Sequence, residues 1–189
     1  MLARQLFFGR VTLASKLLTF RYSRGSTLKL QASADSMIMV PSIVRPKSRG
    51  HLRLTGPKPL DPIEIHANIF EDPGDLKAVT TAIELCRDIA GSDILHPLLK
   101  HEITPGNLKG SALEQIVRNS VSTIWHQSCT AKMGRDPLSV VDSHLKVYGI
   151  DNLRIADGSI MPRISTGNTM APCVIIGERC AEMLKAEHL

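Results

Sequence analysis

Residues 125–134 read WHQSCTAKMG, and residues 157–184 read DGSIMPRISTGNTMAPCVIIGERCAEML. These two strings decide how the chain is read. The first sets one histidine, His126, among small and polar side chains. The second contains a Gly167-Asn168-Thr169 turn that opens a long apolar helix over 169–185, with Thr169 or Asn168 as cap and Pro172 in the first turn. Imidazole has an unperturbed pKa of about 6.5 and accepts protons at neutral pH. A helix N-terminus offers free amides and the positive end of a dipole. Together they are what an enzyme needs to move a proton beside a centre that becomes anionic.

Working outward, a mixed α/β pattern surrounds these strings. SMIMVPSIVRPK at 36–47 is apolar and extended, interrupted by Pro41 and Pro46. GHLRLTG at 50–56 reads as a short strand. PIEIHANI at 62–69 alternates, with Ile63, Ile65 and Ala67 on one face. Asp72 and Pro73 start a helix to about Ile89, with Leu76, Val79, Ile83 and Cys86 at helical spacing and Gly91 ending it. A second helix is expected near 111–122, carrying Leu113, Ile116, Val117 and Val121. VVDSHLKVYG at 140–149 reads as one or two short strands, and LRIAD at 153–157 as another. Few strands are joined by tight hairpins, so much of the pairing must be non-local.

Composition narrows the class. The chain has 189 residues and 43% apolar content, with a mean hydropathy of zero. No apolar run approaches the roughly 18 residues of a membrane span. Aromatic residues are 4% of the total, too few for a stacking platform for nucleic acid. Cys86, Cys129, Cys173 and Cys180 form no Cys-x-x-Cys pair and no zinc spacing, so reduced thiols in a soluble intracellular protein are expected, with no metal site. The net charge of +5 is uneven: residues 1–34 hold six basic side chains and no acid, leaving 17 basic against 18 acidic residues elsewhere. The basic pI therefore belongs to the N-terminal segment and gives no reason to expect nucleic-acid binding. That segment has the composition of a mitochondrial transit peptide or a membrane-surface helix; it also fits a misplaced start or the edge of a truncated gene.

Three stretches carry a family resemblance: PKSRGHLRLTGPKPLDPIEIHANIFEDPGDL at 46–76, WHQSCTAKMG at 125–134, and VVDSHLKVYGIDNLRIADGSIMPRISTGNTMAPCVIIGERCAEML at 140–184. They resemble the C-terminal portion of the glucose–methanol–choline (GMC) flavin oxidoreductases, with wording similar to the choline-dehydrogenase-like members. The resemblance implies an α+β substrate domain with a mixed or antiparallel sheet, followed by the closing strand and helix of an FAD-binding domain. It divides the chain into a basic unmatched segment (1–35), a substrate-domain portion (36–150) and a strand–turn–helix of the FAD domain (151–189).

The same resemblance implies the site. His126 matches the family's catalytic histidine, which takes a hydroxyl proton while hydride passes from carbon to flavin N5. A structural histidine behind Trp125 is the plain alternative. Asn168 matches the second active-site position; it would donate a hydrogen bond to substrate oxygen, or merely cap the helix. Asp157 and Gly158 match a turn held against FAD, or form an ordinary Asp-Gly turn. Thr169, Met170 and Ala171 are the candidate amide donors to the flavin ring; Asn168 sits beside them, and Pro172 has no amide hydrogen. The helix would pack through Val174, Ile175, Ala181 and Leu184. His51, His66, His96, His101 and His144 match no catalytic position.

One departure is large. No Gly-x-Gly-x-x-Gly occurs anywhere in the chain, so the cradle for the FAD pyrophosphate is missing along with the N-terminal FAD-binding half. The leading expectation is the C-terminal portion of an FAD-dependent oxidoreductase acting on a small-molecule alcohol. A non-catalytic remnant or interaction module that binds no flavin is the second, and a member using flavin structurally, as in hydroxynitrile cleavage, is the third.

Overall fold

The computed structural model describes residues 37–189 and, before them, the backbone of residues 3–5, 13–15, 18–21 and 29–32. In chain order the elements are strands β1 (Ala3–Gln5), β2 (Leu13–Ser15), β3 (Leu18–Arg21), β4 (Lys29–Ala32), β5 (Met37–Met39), β6 (Gly50–Leu54) and β7 (Ile63–His66), helix α1 (Pro73–Ala90), strand β8 (Glu102–Thr104), helix α2 (Gly110–Ser120) and helix α3 (Met170–His188). The expectations for residues 1–35 otherwise lie outside the described residues. The sheets are small and antiparallel, in the orders β1-β6-β7, β5-β2-β8 and β3-β4. Most of this pairing is non-local, as the lack of tight turns implies.

The chain forms two compact units. One comprises Gly9–Ile43 and Asp72–Ile124. Here α1 starts as the sequence dictates. Asp72 accepts from Gly74 N–H at 2.8 Å, Pro73 occupies the first turn, and Gly91 closes the helix through its amide to the Arg87 carbonyl at 2.8 Å. Leu76, Val79 and Ile83 on α1 and Leu113 and Val117 on α2 are buried, and the two helices pack together. Burying each such aliphatic side chain contributes about 1.5–3 kcal/mol. Arg87 ties the end of α1 to β8 and the loop beyond it: its guanidinium donates to Glu102 at 2.9 Å, to the Gly106 carbonyl at 2.7 Å and to the Leu108 carbonyl at 3.0 Å.

The other unit comprises Met1–Phe8, Val44–Glu71 and Trp125–Leu189. Its core gathers Val141, Leu145, Ile160 and Cys180, with Met133, Val147, Ile155, Ile176 and Met183 packed around them. Two sequence expectations are corrected here. Residues 140–149 and 153–157 do not form strands; they meet only in isolated bridges, Met133 with Val141, Val141 with Val147, and Lys146 with Arg154. The backbone folds back too tightly for a ladder. Asp142 Oδ1 accepts from His144 N–H at 2.8 Å and Lys146 N–H at 2.9 Å, so groups that would pair with a neighbouring strand are used within the turn. On α3, the apolar stripe named from sequence is the wrong side. Val174 and Ile175 are 54% and 61% exposed and Leu184 39%, while Cys180 is buried with Ile176 and Met183 beside it.

Candidate active site

The second unit builds a site from two stretches with almost no regular secondary structure. Residues 129–133 and 158–160 are laid side by side by three backbone bonds: Cys129 N–H to the Gly158 carbonyl (3.2 Å), Ala131 N–H to the Ser159 carbonyl (2.9 Å) and Met133 N–H to the Ile160 carbonyl (2.7 Å). Asp157 caps the turn between them, accepting from Ser159 N–H at 2.7 Å. Backbone conformation at the entrance is unusual. Trp125 and Cys129, which flank His126, have φ of 60° and 69°, the left-handed region that side chains with a Cβ avoid. Such positions persist only where surrounding bonds over-determine them, and they concentrate at functional sites.

This scaffold brings His126 against the start of α3. Its Nε2 lies 3.0 Å from Asn168 Oδ1, and its Nδ1 lies 3.1 Å from Thr169 Oγ1. Residues 42 and 43 positions apart are thus joined through one imidazole. The ring is half-buried, Asn168 is exposed and Thr169 is buried. Trp125 is 75% exposed and does not bury the histidine.

The helix start differs from the expected cap. Thr169 occupies the cap position of α3, but its side chain makes no capping bond, and neither does that of Asn168, which is turned to the imidazole. The first intrahelical bond runs from Cys173 N–H to the Thr169 carbonyl at 3.0 Å. The amides of Met170 and Ala171 precede it and are left for an outside acceptor, and both residues are exposed. Gly158 has a packing reason that the sequence did not suggest: an added Cβ would lie 3.1 Å from Cys173 Sγ and 3.6 Å from Met161 Cε. Burial pushes the Cys129 thiol up, against the hydrogen bond with Ser128 and the charge of Arg49. Among the described residues no group of His, Cys, Asp and Glu is arranged to hold a metal, and no helix is long and apolar enough to cross a membrane.

The predicted site residues therefore fall into two sets. His126, Asn168 and Thr169 touch one another. Asp157 and Gly158 lie on the turn bonded to the histidine segment, and Met170 and Ala171 begin α3. Sequence reasoning missed two contacts: the Thr169 hydroxyl on the imidazole, and the Gly158–Cys173 approach. The first had a signal. A cap residue commonly bonds the amide two or three positions on, and here the third is Pro172, which has no amide hydrogen and halves the choice.

The sequence pattern of the GMC oxidoreductases matches residues 46–177. The chain belongs to the GMC oxidoreductase family. It is the family's C-terminal portion, and its helices and small antiparallel sheet are the fold of that portion. The chain is similar to alcohol dehydrogenase [acceptor] of Pseudomonas putida, 40% identical over 141 residues that make up 74% of this chain and 26% of that protein. It is similar to mitochondrial choline dehydrogenase of Mus musculus, 38% identical over 146 residues, 75% of this chain and 24% of that protein. Among solved structures, an FAD-dependent oxidoreductase from Chaetomium thermophilum superposes with a TM-score of 0.74 at 32% identity, over 80% of this chain and 26% of that one. This GMC chain thus spans about a quarter of the length of the relatives it matches.

Proposed function

We propose that this chain supplies the substrate side of an FAD-dependent oxidoreductase acting on CH–OH groups, with His126 as the base that removes the hydroxyl proton. The observation that carries this is the imidazole held between Asn168 and Thr169 at the N-terminus of α3, beside two unused amides. The residues fit a flavin edge. Met170 and Ala171 offer amide donors and the positive helix end to a ring that gains negative charge. Asp157 is exposed, and one of its oxygens is committed to Ser159, so the other is available to a cofactor hydroxyl. FAD, when bound, supplies the two-electron acceptor for the hydride that leaves the alcohol carbon.

The chain's own residues do the rest. Asn168 orients the alcohol by an amide hydrogen bond to its oxygen. His126 Nε2, at the same place, takes the hydroxyl proton, which raises the electron density on oxygen and lets the hydride depart. The imidazolium that results is stabilised by Thr169 Oγ1 and Asn168 Oδ1 as acceptors. A base so placed contributes about 10²–10⁴ in rate.

This function rests on the rest of a flavoenzyme, and the exposed side of α3 (Met170, Val174 and Ile175) is the surface we assign to docking it. These 189 residues hold no Gly-x-Gly-x-x-Gly cradle, so by themselves they are expected to bind FAD weakly or not at all, which is where the reading as a non-catalytic module has its support. The division of roles at about residue 150 belongs to the same proposal.

The test is His126→Ala in an enzyme completed with a dinucleotide-binding half. Anaerobic stopped-flow with an alcohol is expected to show flavin reduction slowed by about 10²–10⁴ with flavin content unchanged. Reduction at the parent rate removes His126 as the base.

A further inference from the structure

We propose that Thr169 is a positioning residue for His126, its hydroxyl holding the imidazole in one orientation through both proton arrangements of the ring. The proposal rests on the reading of His126 as base, and three observations lead to it. Thr169 is buried and stands at the cap position of α3, yet its side chain caps nothing. Its backbone, at φ −81° and ψ −8°, is helical, not in the extended conformation from which cap residues reach forward. The residue three positions on is Pro172, so one of the two usual target amides does not exist, and the other, on Ala171, is not bonded by Thr169. The hydroxyl is spent on His126 Nδ1, 3.1 Å away.

A hydroxyl suits that place because it both donates and accepts, whereas a carboxylate only accepts. With Asn168 Oδ1 accepting, as the 3.0 Å contact implies, Nε2 carries the ring proton and Nδ1 presents a lone pair to the Thr169 hydroxyl. To take a proton from an alcohol, Nε2 must be bare and Nδ1 must carry the hydrogen. The hydroxyl then rotates about its C–O bond and accepts from Nδ1–H, and the ring stays where it was. The half-exposed imidazole exchanges its proton with water between the two arrangements. After transfer, both ring nitrogens donate, Nδ1 to Thr169 and Nε2 to Asn168. Asn168 is adaptable in the same way, since its amide offers an acceptor or a donor.

The experiment compares the parent chain with Thr169→Val, which keeps shape and loses the hydroxyl, and Thr169→Ser, which keeps the hydroxyl. The first readout is ¹⁵N–¹H correlation of the His126 ring in the neutral state, assigned with His126→Gln. Thr169→Val is expected to move the Nδ1 resonance towards an unbonded, pyridine-like value, and Thr169→Ser to restore it. The second is thermal unfolding. Thr169→Val is expected to lower the melting point while His126 is present and to cost nothing further in the His126→Ala background, since the hydroxyl bonds the imidazole and caps no helix. In the completed flavoenzyme, Thr169→Val is expected to lower kcat about tenfold with KM unchanged, and Thr169→Ser to recover it. An Nδ1 resonance unmoved in Thr169→Val overturns the proposal. So does a Thr169→Val loss of melting point that persists in the His126→Ala background, because that is the behaviour of an ordinary cap. If instead His126→Ala fails to slow flavin reduction while the ring resonances behave as expected, the base assignment falls and the Thr169–His126 coupling stands.

Discussion

The helical pair at residues 73–120 is held chiefly by packed side chains, whereas the stretch from Trp125 to Thr169 adds to its buried Val141, Leu145 and Ile160 a set of backbone bonds and single polar contacts that fix the histidine segment. In the first, Val79, Ile83 and Val117 are at most 1% exposed and recur at helical spacing. In the second, alignment comes from three amide–carbonyl bonds and from turns fixed by Asp142 and Asp157, with left-handed residues on both sides of the histidine. Apolar burial is non-directional and tolerates small shifts of a side chain. A proton-transfer group does not tolerate them, because a hydrogen bond weakens steeply with angle and distance. The region that carries chemistry is therefore the one fixed by directional bonds.

The largest effect that separates the two regions should come from the helical core. Ile83→Ala removes a side chain that is fully buried and is expected to destabilise its unit by about 2–5 kcal/mol, read from denaturant melts of the helical circular-dichroism signal. The backbone bonds between residues 129–133 and 158–160 belong to the other unit and contain no contact with Ile83. A loss below about 1 kcal/mol would mean that α1 and α2 are not a packed pair and would erase the contrast.

Gly158→Ala probes the other region, with an expected cost of about 1–3 kcal/mol from overpacking. The new methyl would lie 3.1 Å from Cys173 Sγ, so either α3 or the Asp157–Gly158 turn must yield by a few tenths of an ångström. Adding Cys173→Ala should recover most of the loss, because it removes the obstructing sulfur. This pair also separates two reasons for a glycine. A packing role lowers the stability of the chain with no flavin present. A role only in close approach to FAD leaves that stability untouched and lowers flavin affinity in the completed enzyme.

What could be read in advance follows the same contrast. The bounds of α1 were legible because Asp72, Pro73 and Gly91 each act locally, and its buried side because Leu76, Val79 and Ile83 repeat at one period. The face of α3 was not legible. Met170, Val174, Ile175, Ile176, Cys180, Met183 and Leu184 surround the helix, and periodicity cannot choose between sides that are all apolar. LRIAD looked like a strand because it alternates, but a strand also needs a ladder, and the neighbouring 140–149 segment spends its hydrogen bonds on its own turns. The site was legible only through family wording. Nothing in spacing alone places His126 within 3.0 Å of Asn168. The Thr169 contact could have been suspected from Pro172, which removes one of the two amides a cap would use.

The smallest effect concerns charge on the far end of α3. Glu187, near the C-terminus of that helix, accepts from Arg154 at 2.6 Å and lies 3.2 Å from Lys146, so the tail of α3 is tied to the turns that carry the core residues Leu145 and Val147. The hydrogen bonds from Arg154 and Lys146 bring its carboxyl from 4.5 to about 2. A carboxyl depressed on folding contributes stability that is fully present above its unfolded value of about 4.3 and fades as pH falls through the folded value. The contribution should therefore be complete at neutral pH and disappear between about pH 4.5 and pH 2. Glu64, bonded to Arg53 and His66 in the same unit, titrates over the same window, so acid melts of the parent alone do not single out Glu187. Glu187→Gln does. The variant should melt slightly below the parent at pH 7, and the gap should close as pH approaches 2. Added salt should narrow the gap at pH 7, because the carboxylate is exposed and its ion pairs are screened. A gap that persists unchanged at pH 2 would mean that Glu187 acts through packing along its stem, and the tail of α3 would then belong with the regions held by side chains.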